Sequence, residues 1–365
     1  MRRRTSERSS DLFSLRQNVG IVALWCDMRR GLVPKGSLSR CSEMTASDMY
    51  GGTVSLFQVE VTVRVLVTGG AGFVGSNLAK RLVADGHAVT VLDDFSSGEW
   101  RNLIDFRGDV LTCDIAGNVD ALSAAPSFEL IFHQASITDT TVMDQRKMMH
   151  CNAEGFRQLL DLAVKWGSRV VWASSAATYG RGESPNRESQ PAAPLNVYGY
   201  SKLAMERLAQ LYAPKLKHPI VGLRYFNVYG AGEAHKGKFA SMIHQLAKQM
   251  RANKRPRIFT DGEQKRDFVY IDDVVAANLA AVKATATGVY NVGSGGAASF
   301  NRVVEELNRV LKTDLPPDYF PNPYDFFQTW TEAELSHSRS GIKYDPKFDL
   351  TRGIDAYHAS GTLGI

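Results

Sequence analysis

Thr68-Gly69-Gly70-Ala71-Gly72-Phe73-Val74-Gly75 decides the fold of this chain. The apolar stretch Val63-Arg64-Val65-Leu66-Val67 runs into it, and an amphipathic segment leaves it from Ser76 to Ala84. Strand, glycine turn and helix, in that order, are the context in which such a spacing marks a dinucleotide site. Gly69 supplies the positive φ of a tight turn. Gly72, with no Cβ, lets a pyrophosphate approach the backbone, and Gly75 lets the helix lie close to the strand. The helix that starts here aims unpaired N–H groups and the positive end of its dipole at the phosphates. About twenty residues on, a second apolar run, Ala88-Val89-Thr90-Val91-Leu92, ends in Asp93-Asp94, and a carboxylate there suits the adenosine ribose hydroxyls. The pattern implies a bound dinucleotide.

The same alternation continues along the chain. Val110-Leu111-Thr112-Cys113 reads as a third strand ending at Asp114-Ile115, and Leu130-Ile131-Phe132 as a fourth running into His133-Gln134-Ala135-Ser136. A long helix is expected over Val142 to Trp166, carrying Asn152, then a fifth strand over Arg169 to Ala173. Gly182 to Leu195 is loop, Tyr198 to Tyr212 helix, and Ile220 to Phe226 strand. Strands alternating with helices predict an α/β fold, a doubly wound parallel sheet of the Rossmann type over 61–230. Beyond Gly230 the elements shorten: helix near Phe239 to Met250, strands at Arg257-Ile258-Phe259, Asp267 to Tyr270 and Gly288 to Val292, and helices from Asp272 and Ser299, the last with Ser299 as its N-cap. Residues 231–365 are therefore expected to form a smaller C-terminal substrate-binding lobe, with segments returning to the main sheet.

Net charge is +5, yet residues 1–43 hold nine Lys/Arg against four acids, so the body is neutral and gives little support to nucleic-acid binding. This Arg- and Ser-rich leader, 1–60, reads as a transit peptide, a basic tail, or a start placed ahead of Met44 or Met49, and is expected to be poorly ordered. No apolar run approaches the ~20 residues that span a bilayer, which predicts no membrane insertion. Cys26, Cys41, Cys113 and Cys151 form no metal-ligand pattern and fit a reducing cytoplasm.

Chemistry gathers at Asn196-Val197-Tyr198-Gly199-Tyr200-Ser201-Lys202. Tyr198 and Lys202 share a helix face, so an ammonium beside the phenol is expected to favour phenolate and to move its pKa toward neutrality. Tyr198 then takes a proton from an alcohol, and Ser175, at the end of the fifth strand, hydrogen-bonds the same oxygen. A surface Tyr and Lys is the commoner meaning of this spacing alone; the glycine loop and the upstream serine reverse the balance.

Together these residues resemble the extended short-chain dehydrogenase/reductases that act on nucleotide sugars. Ala173–Gly180, Pro194–Lys202, Arg224–Gly230, His235-Lys236-Gly237 and Lys265–Tyr270 are similar to the ADP-L-glycero-D-manno-heptose 6-epimerase family in particular, over about residue 63 to beyond 340. The resemblance implies a homo-oligomeric epimerase that uses NADP or NAD. It inverts C6 of the heptose through a transient aldehyde, with Lys236 the acid/base group opposite Tyr198. It also implies that Gly69, Gly72, Phe73, Val74, Gly75, Asp93, Asp94, Asp114, Ile115, Gln134, Ala135, Ser136, Asn152, Lys202 and Val228 line the cofactor. Asn227, Lys238, Phe259, Arg266 and Phe327 would meet the substrate, with Arg266 on the diphosphate. Lys238 stands where the family has serine, Phe327 where it has tyrosine, and Trp100 where it has lysine. The family tends toward NADP, whereas Asp93 would repel a 2′-phosphate. A UDP-hexose 4-epimerase or UDP-glucuronate decarboxylase on the same scaffold is the nearest alternative. A catalytically silent dinucleotide-binding protein would be expected to lose Tyr198, Lys202 or Ser175. Ala176-Ala177 supplies no acidic pair for a 4,6-dehydratase.

Overall fold

Val65, Leu66 and Val67 are wholly buried, as are Val91 and Leu92 one strand over and Ile131 and Phe132 on the other side. Strands hidden on both faces are what a parallel sheet covered by helices requires. The computed structural model describes residues 62–321 and 328–365; the 1–60 leader and Phe327 lie outside the described residues. Val63–Ile365 is one compact unit.

Its main sheet has seven parallel strands in the order β10-β6-β5-β4-β1-β2-β3, with β1 Arg64–Thr68, β2 Ala88–Asp93, β3 Asp109–Thr112, β4 Leu130–His133, β5 Arg169–Ser175, β6 Ile220–Tyr225 and β10 Gly288–Val292. The order turns back between β1 and β4, and in such sheets ligands sit outside the carboxyl ends of the strands at that reversal. Around it lie helices α1 Phe73–Ala84, α2 Gly155–Trp166, α3 Val197–Tyr212, α4 Met242–Arg251, α5 Ile271–Ala281, α6 Phe300–Leu311 and α7 Leu350–Ala359. Leu66, Ile131, Phe156, Leu159, Leu160, Trp172, Met205 and Ile220 form a core on one face. Each such side chain contributes about 1.5–3 kcal/mol by leaving water.

A second sheet centres on β9, Lys265–Tyr270. It pairs in parallel with β7, Asn227–Tyr229, and with β13, Trp330–Thr331, and antiparallel with β11, Ala297–Ser299. β8, Arg257–Phe259, pairs with β12, Asp318–Phe320. Asp267, fully buried on β9, accepts from the backbone N–H groups of Ser294, Gly295 and Ala333, drawing two other segments to β9.

Local chemistry sets the element ends. Asn196 caps α3 by accepting from Gly199 N at 2.8 Å, and Ser299 caps α6 by accepting from Arg302 N at 3.2 Å. The long helix expected over Val142 to Trp166 is interrupted: a short helix, Gln145–Met149, passes through a π-helical turn, His150–Glu154, into α2. Asn152 sits in that turn and spends its amide on Ile137, bonds that a regular helix would not aim correctly. The strand expected over Ile220 to Phe226 also divides, with Phe226 separating β6 from β7. Among the described residues no helix is long and apolar enough to cross a membrane, and no His/Cys/Asp/Glu group could hold a metal ion.

Candidate active site

The glycine loop is held by contacts that leave no room for side chains. Gly69 has φ +67°, and a Cβ on it would lie 2.5 Å from Ala135 N; one on Gly75 would lie 2.1 Å from Gly69 O. Gly72 caps α1 without any side-chain bond to the first turn. Asp93, at the end of β2, is buried and accepts from Ala71 N at 2.8 Å and Phe95 N at 2.9 Å. Its carboxylate thus ties the glycine loop to the exit of β2; burial raises its pKa and the two N–H groups pull it back. Asp94 is exposed and accepts from Ser96. This cradle fits a dinucleotide diphosphate and ribose.

Neighbouring strand ends supply the walls. Asp114 is exposed beside buried Ile115 and accepts from Ala116 N. His133 bonds Thr68 Oγ1 through Nδ1 at 2.7 Å and stacks on Phe156; burial drives its pKa down to about 3, so the ring is neutral. Gln134, Tyr225 and Asn278 form a ring of hydrogen bonds of 2.8–3.1 Å that joins the ends of β4 and β6 to α5. Ala135 and Ser136 are half-buried. Asn152 is wholly buried, and besides Ile137 it donates to Ser201 Oγ at 2.9 Å. With both ends of its amide engaged, it acts as a clamp between the β4 exit and α3.

Ser175 Oγ accepts from Ala177 N at 3.1 Å, which leaves its own proton to donate, and it hydrogen-bonds the half-buried Tyr198 phenol. Lys202 is buried, its Nζ donates to Ala173 O at 2.9 Å, and it lies 5.8 Å from the Tyr198 ring centroid. Loss of water lowers its pKa to about 7. The expected pull of Lys202 on Tyr198 toward neutrality is not what this geometry gives. Desolvation holds the phenol above its ordinary value, and Ser175 is the group that draws it down.

His235-Lys236-Gly237 lies on a short 3-10 segment, Ala234–Phe239, folded against the glycine loop. Asn77, on α1, donates to Ala231 O at 3.1 Å and Phe73 O at 2.9 Å. Asn102 donates to Ala71 O at 2.7 Å and its amide lies 3.1 Å from His235 Nδ1. Lys236 is half-buried with its Nζ 5.8 Å from the Phe73 ring centroid, and desolvation lowers its pKa, against Glu233, which raises it. Lys238 is exposed with its ammonium over Phe239. Asn227 is exposed and Val228 half-buried on β7. Arg266 is half-buried on β9, donates to Lys265 O, and is pushed down to about 10, which keeps it charged near neutrality. Phe259 packs edge-on against Phe320, 4.8 Å between centroids.

Sequence reasoning missed Asn77, Asn102, Glu233 and the Gln134–Tyr225–Asn278 ring. Asn77 was within reach, being four residues beyond Phe73 on one helix face; the others depend on partners far away in the chain.

The model of the NAD dependent epimerase/dehydratase family matches residues 65–293. Among solved structures, the Helicobacter pylori ADP-L-glycero-D-manno-heptose-6-epimerase is 42% identical, covers 82% of this chain and 96% of its own, with a TM-score of 0.78. The Thermotoga maritima UDP-glucose 4-epimerase with UDP-glucose is 27% identical over 81% of this chain and 99% of its own, TM-score 0.74. The Bacillus cereus UDP-glucuronic acid 4-epimerase in complex with UDP-glucuronic acid and NAD is 27% identical over 81% and 98%, TM-score 0.72.

Proposed function

This chain belongs to the NAD dependent epimerase/dehydratase family, and on that premise we propose that it inverts C6 of ADP-D-glycero-D-manno-heptose to give the L-glycero epimer. The observation that carries this reading is Lys236, held against the glycine loop with its ammonium over Phe73 rather than turned to solvent. An epimerase that returns hydride to the opposite face needs a proton-handling group on each face, and Tyr198 and Lys236 are two such groups.

The cofactor would be held by the N–H groups at Phe73, Val74 and Gly75 beside the bare backbone of Gly72, by Asp93 or Asp94 at the ribose, and by Asp114, Ile115, Gln134, Ala135, Ser136, Lys202 and Val228 along its length. Its oxidised nicotinamide would supply a reversible hydride acceptor for the sugar carbon. Tyr198 removes the hydroxyl proton while Ser175 donates a hydrogen bond to the same oxygen. Ser175 also favours the phenolate as it forms, while Lys202, one helical turn on, stays tied to Ala173 O. Lys236, its pKa lowered by burial, exchanges the proton on the other face. Asn227, Lys238, Phe259 and Arg266 would meet the substrate, the Arg266 guanidinium suiting a diphosphate. The enzyme is read as cytoplasmic and homo-oligomeric.

A competition assay tests the reading. Purified protein is given ADP-D-glycero-D-manno-heptose and UDP-glucose, and inversion is followed by proton NMR. C6 inversion of the heptose with UDP-glucose untouched is the expected result; 4-epimerisation of UDP-glucose with the heptose unchanged would refute it in favour of the UDP-sugar alternative.

A further inference from the structure

Behind the His235-Lys236-Gly237 segment lies a carboxylate that the chemistry above does not use. Glu233 is fully buried. Its Oε1 accepts from Gly230 N at 3.1 Å and from Ser241 Oγ at 2.9 Å, and its Oε2 from Ser241 N at 2.5 Å. Gly230 and Ser241 are the two ends of the segment that carries Lys236, so one side chain ties both. Inside the tie, Lys236 N donates to Glu233 O at 3.0 Å. From the far side, Tyr357 on α7 hydrogen-bonds the same carboxylate and lies 2.8 Å from His244 Nδ1.

A neutral side chain could close such a turn without desolvating a charge, and burying a carboxylate is costly unless a cation or several donors compensate. Burial raises the Glu233 pKa, and the donors from Ser241 and Gly230 pull it back, with a smaller pull from the Lys236 charge three residues on. We propose that Glu233 is the positioning residue of Lys236: its carboxylate closes the 230–241 segment on itself and keeps the Lys236 ammonium charged and seated over Phe73.

The inference takes the catalytic meaning of Lys236 from the epimerase reading, but the tie itself does not depend on it. The titratable groups around Lys236 are Glu233, His235 and Lys238 on its own segment, Asp93 and Glu99 facing His235 from the β2 exit, and His244 and Tyr357 beneath.

The test reads the lysine directly. Lysines of the full-length protein are dimethylated with ¹³C-formaldehyde, and the Lys236 resonance, identified by its loss in Lys236→Met, is followed against pH. In Glu233→Gln that resonance is expected to titrate at lower pH than in the parent, because the negative neighbour is gone. Amide exchange over 230–241 should also rise about tenfold, as expected for one lost hydrogen bond, with β1 unchanged. A Lys236 titration that stays at the parent's position overturns the proposal. If Glu233→Gln does not fold, Ser241→Ala removes one donor and keeps the charge, while also uncapping α4, whose His244 N it accepts from: faster exchange at 230–240, ahead of the α4 first turn, supports the tie, and exchange there as in the parent overturns it. Neither measurement uses turnover. A protein that passes both and leaves ADP-heptose unchanged therefore keeps the tie and loses the functional reading.

Discussion

The Lys202 ammonium donates to the Ala173 carbonyl at 2.9 Å, inside the protein and one helical turn from Tyr198. Burial takes its pKa from 10.5 to about 7. Between those values the unfolded chain holds more protons than the folded one, so this group makes stability rise with pH across that window. Lys202→Met removes the buried charge. It should raise stability by about 1–4 kcal/mol near pH 7, a gain that shrinks as pH approaches 10. Urea unfolding of parent and variant at both ends of the window checks the sign.

Tyr198→Phe and Lys236→Met should each lower turnover by about 10²–10⁴, the usual range for general acid–base catalysis. Together they should abolish C6 inversion. Neither substitution alters the glycine loop or Asp93, so mass spectrometry of the doubly substituted protein should still find its dinucleotide. Inversion persisting near the parent rate would remove the two-base assignment.

Asp93 and Trp100 bear on which dinucleotide that is. The Asp93 carboxylate is fixed by two backbone donors, and Trp100 is exposed where the resembling family carries a lysine. Cofactor released from the purified protein is expected to be NAD at least as much as NADP; NADP alone would refute this. Asp93→Ala should also cost about 1–3 kcal/mol, since Ala71 N and Phe95 N lose their acceptor.

Glu206 and Arg224 form a buried two-bond ion pair at 2.7–2.8 Å, with Ser174 donating to the same carboxylate and the guanidinium 4.6 Å from the Tyr179 ring centroid. Glu206→Gln leaves Arg224 charged and unpaired in the interior. A loss of about 3–5 kcal/mol in chemical denaturation is expected, against near-parent stability if water reaches the pair.

How much of this could be read from the chain depended on the range of the interaction. Val65–Val67 and Ile131–Phe132 announce buried strands by composition, and Gly69, Gly72 and Gly75 announce their turn by spacing, because strand periodicity and backbone sterics are local. The cap at Ser299 was legible for the same reason. The break at His150–Glu154 was not: it follows from Asn152 reaching Ile137, across a loop whose path the sequence does not reveal. Tyr198 shows the limit most clearly. Its spacing from Lys202 was plain, but whether the ammonium or the loss of water governs the phenol depends on packing. Three-residue pairings such as Asp318–Phe320 with Arg257–Phe259 carry too little pattern to be seen without the fold.

Because Gly288–Val292 lies beside Ile220–Tyr225 at the margin of the main sheet, the polypeptide leaves that sheet after the sixth strand and comes back to finish it. Any fragment stopped short of residue 288 would present a bare, apolar margin to its surroundings and would be prone to clump. The stretches before and after residue 230 are accordingly inherited together: neither can be swapped for a foreign module by a single cut, and a graft must be made inside the loops.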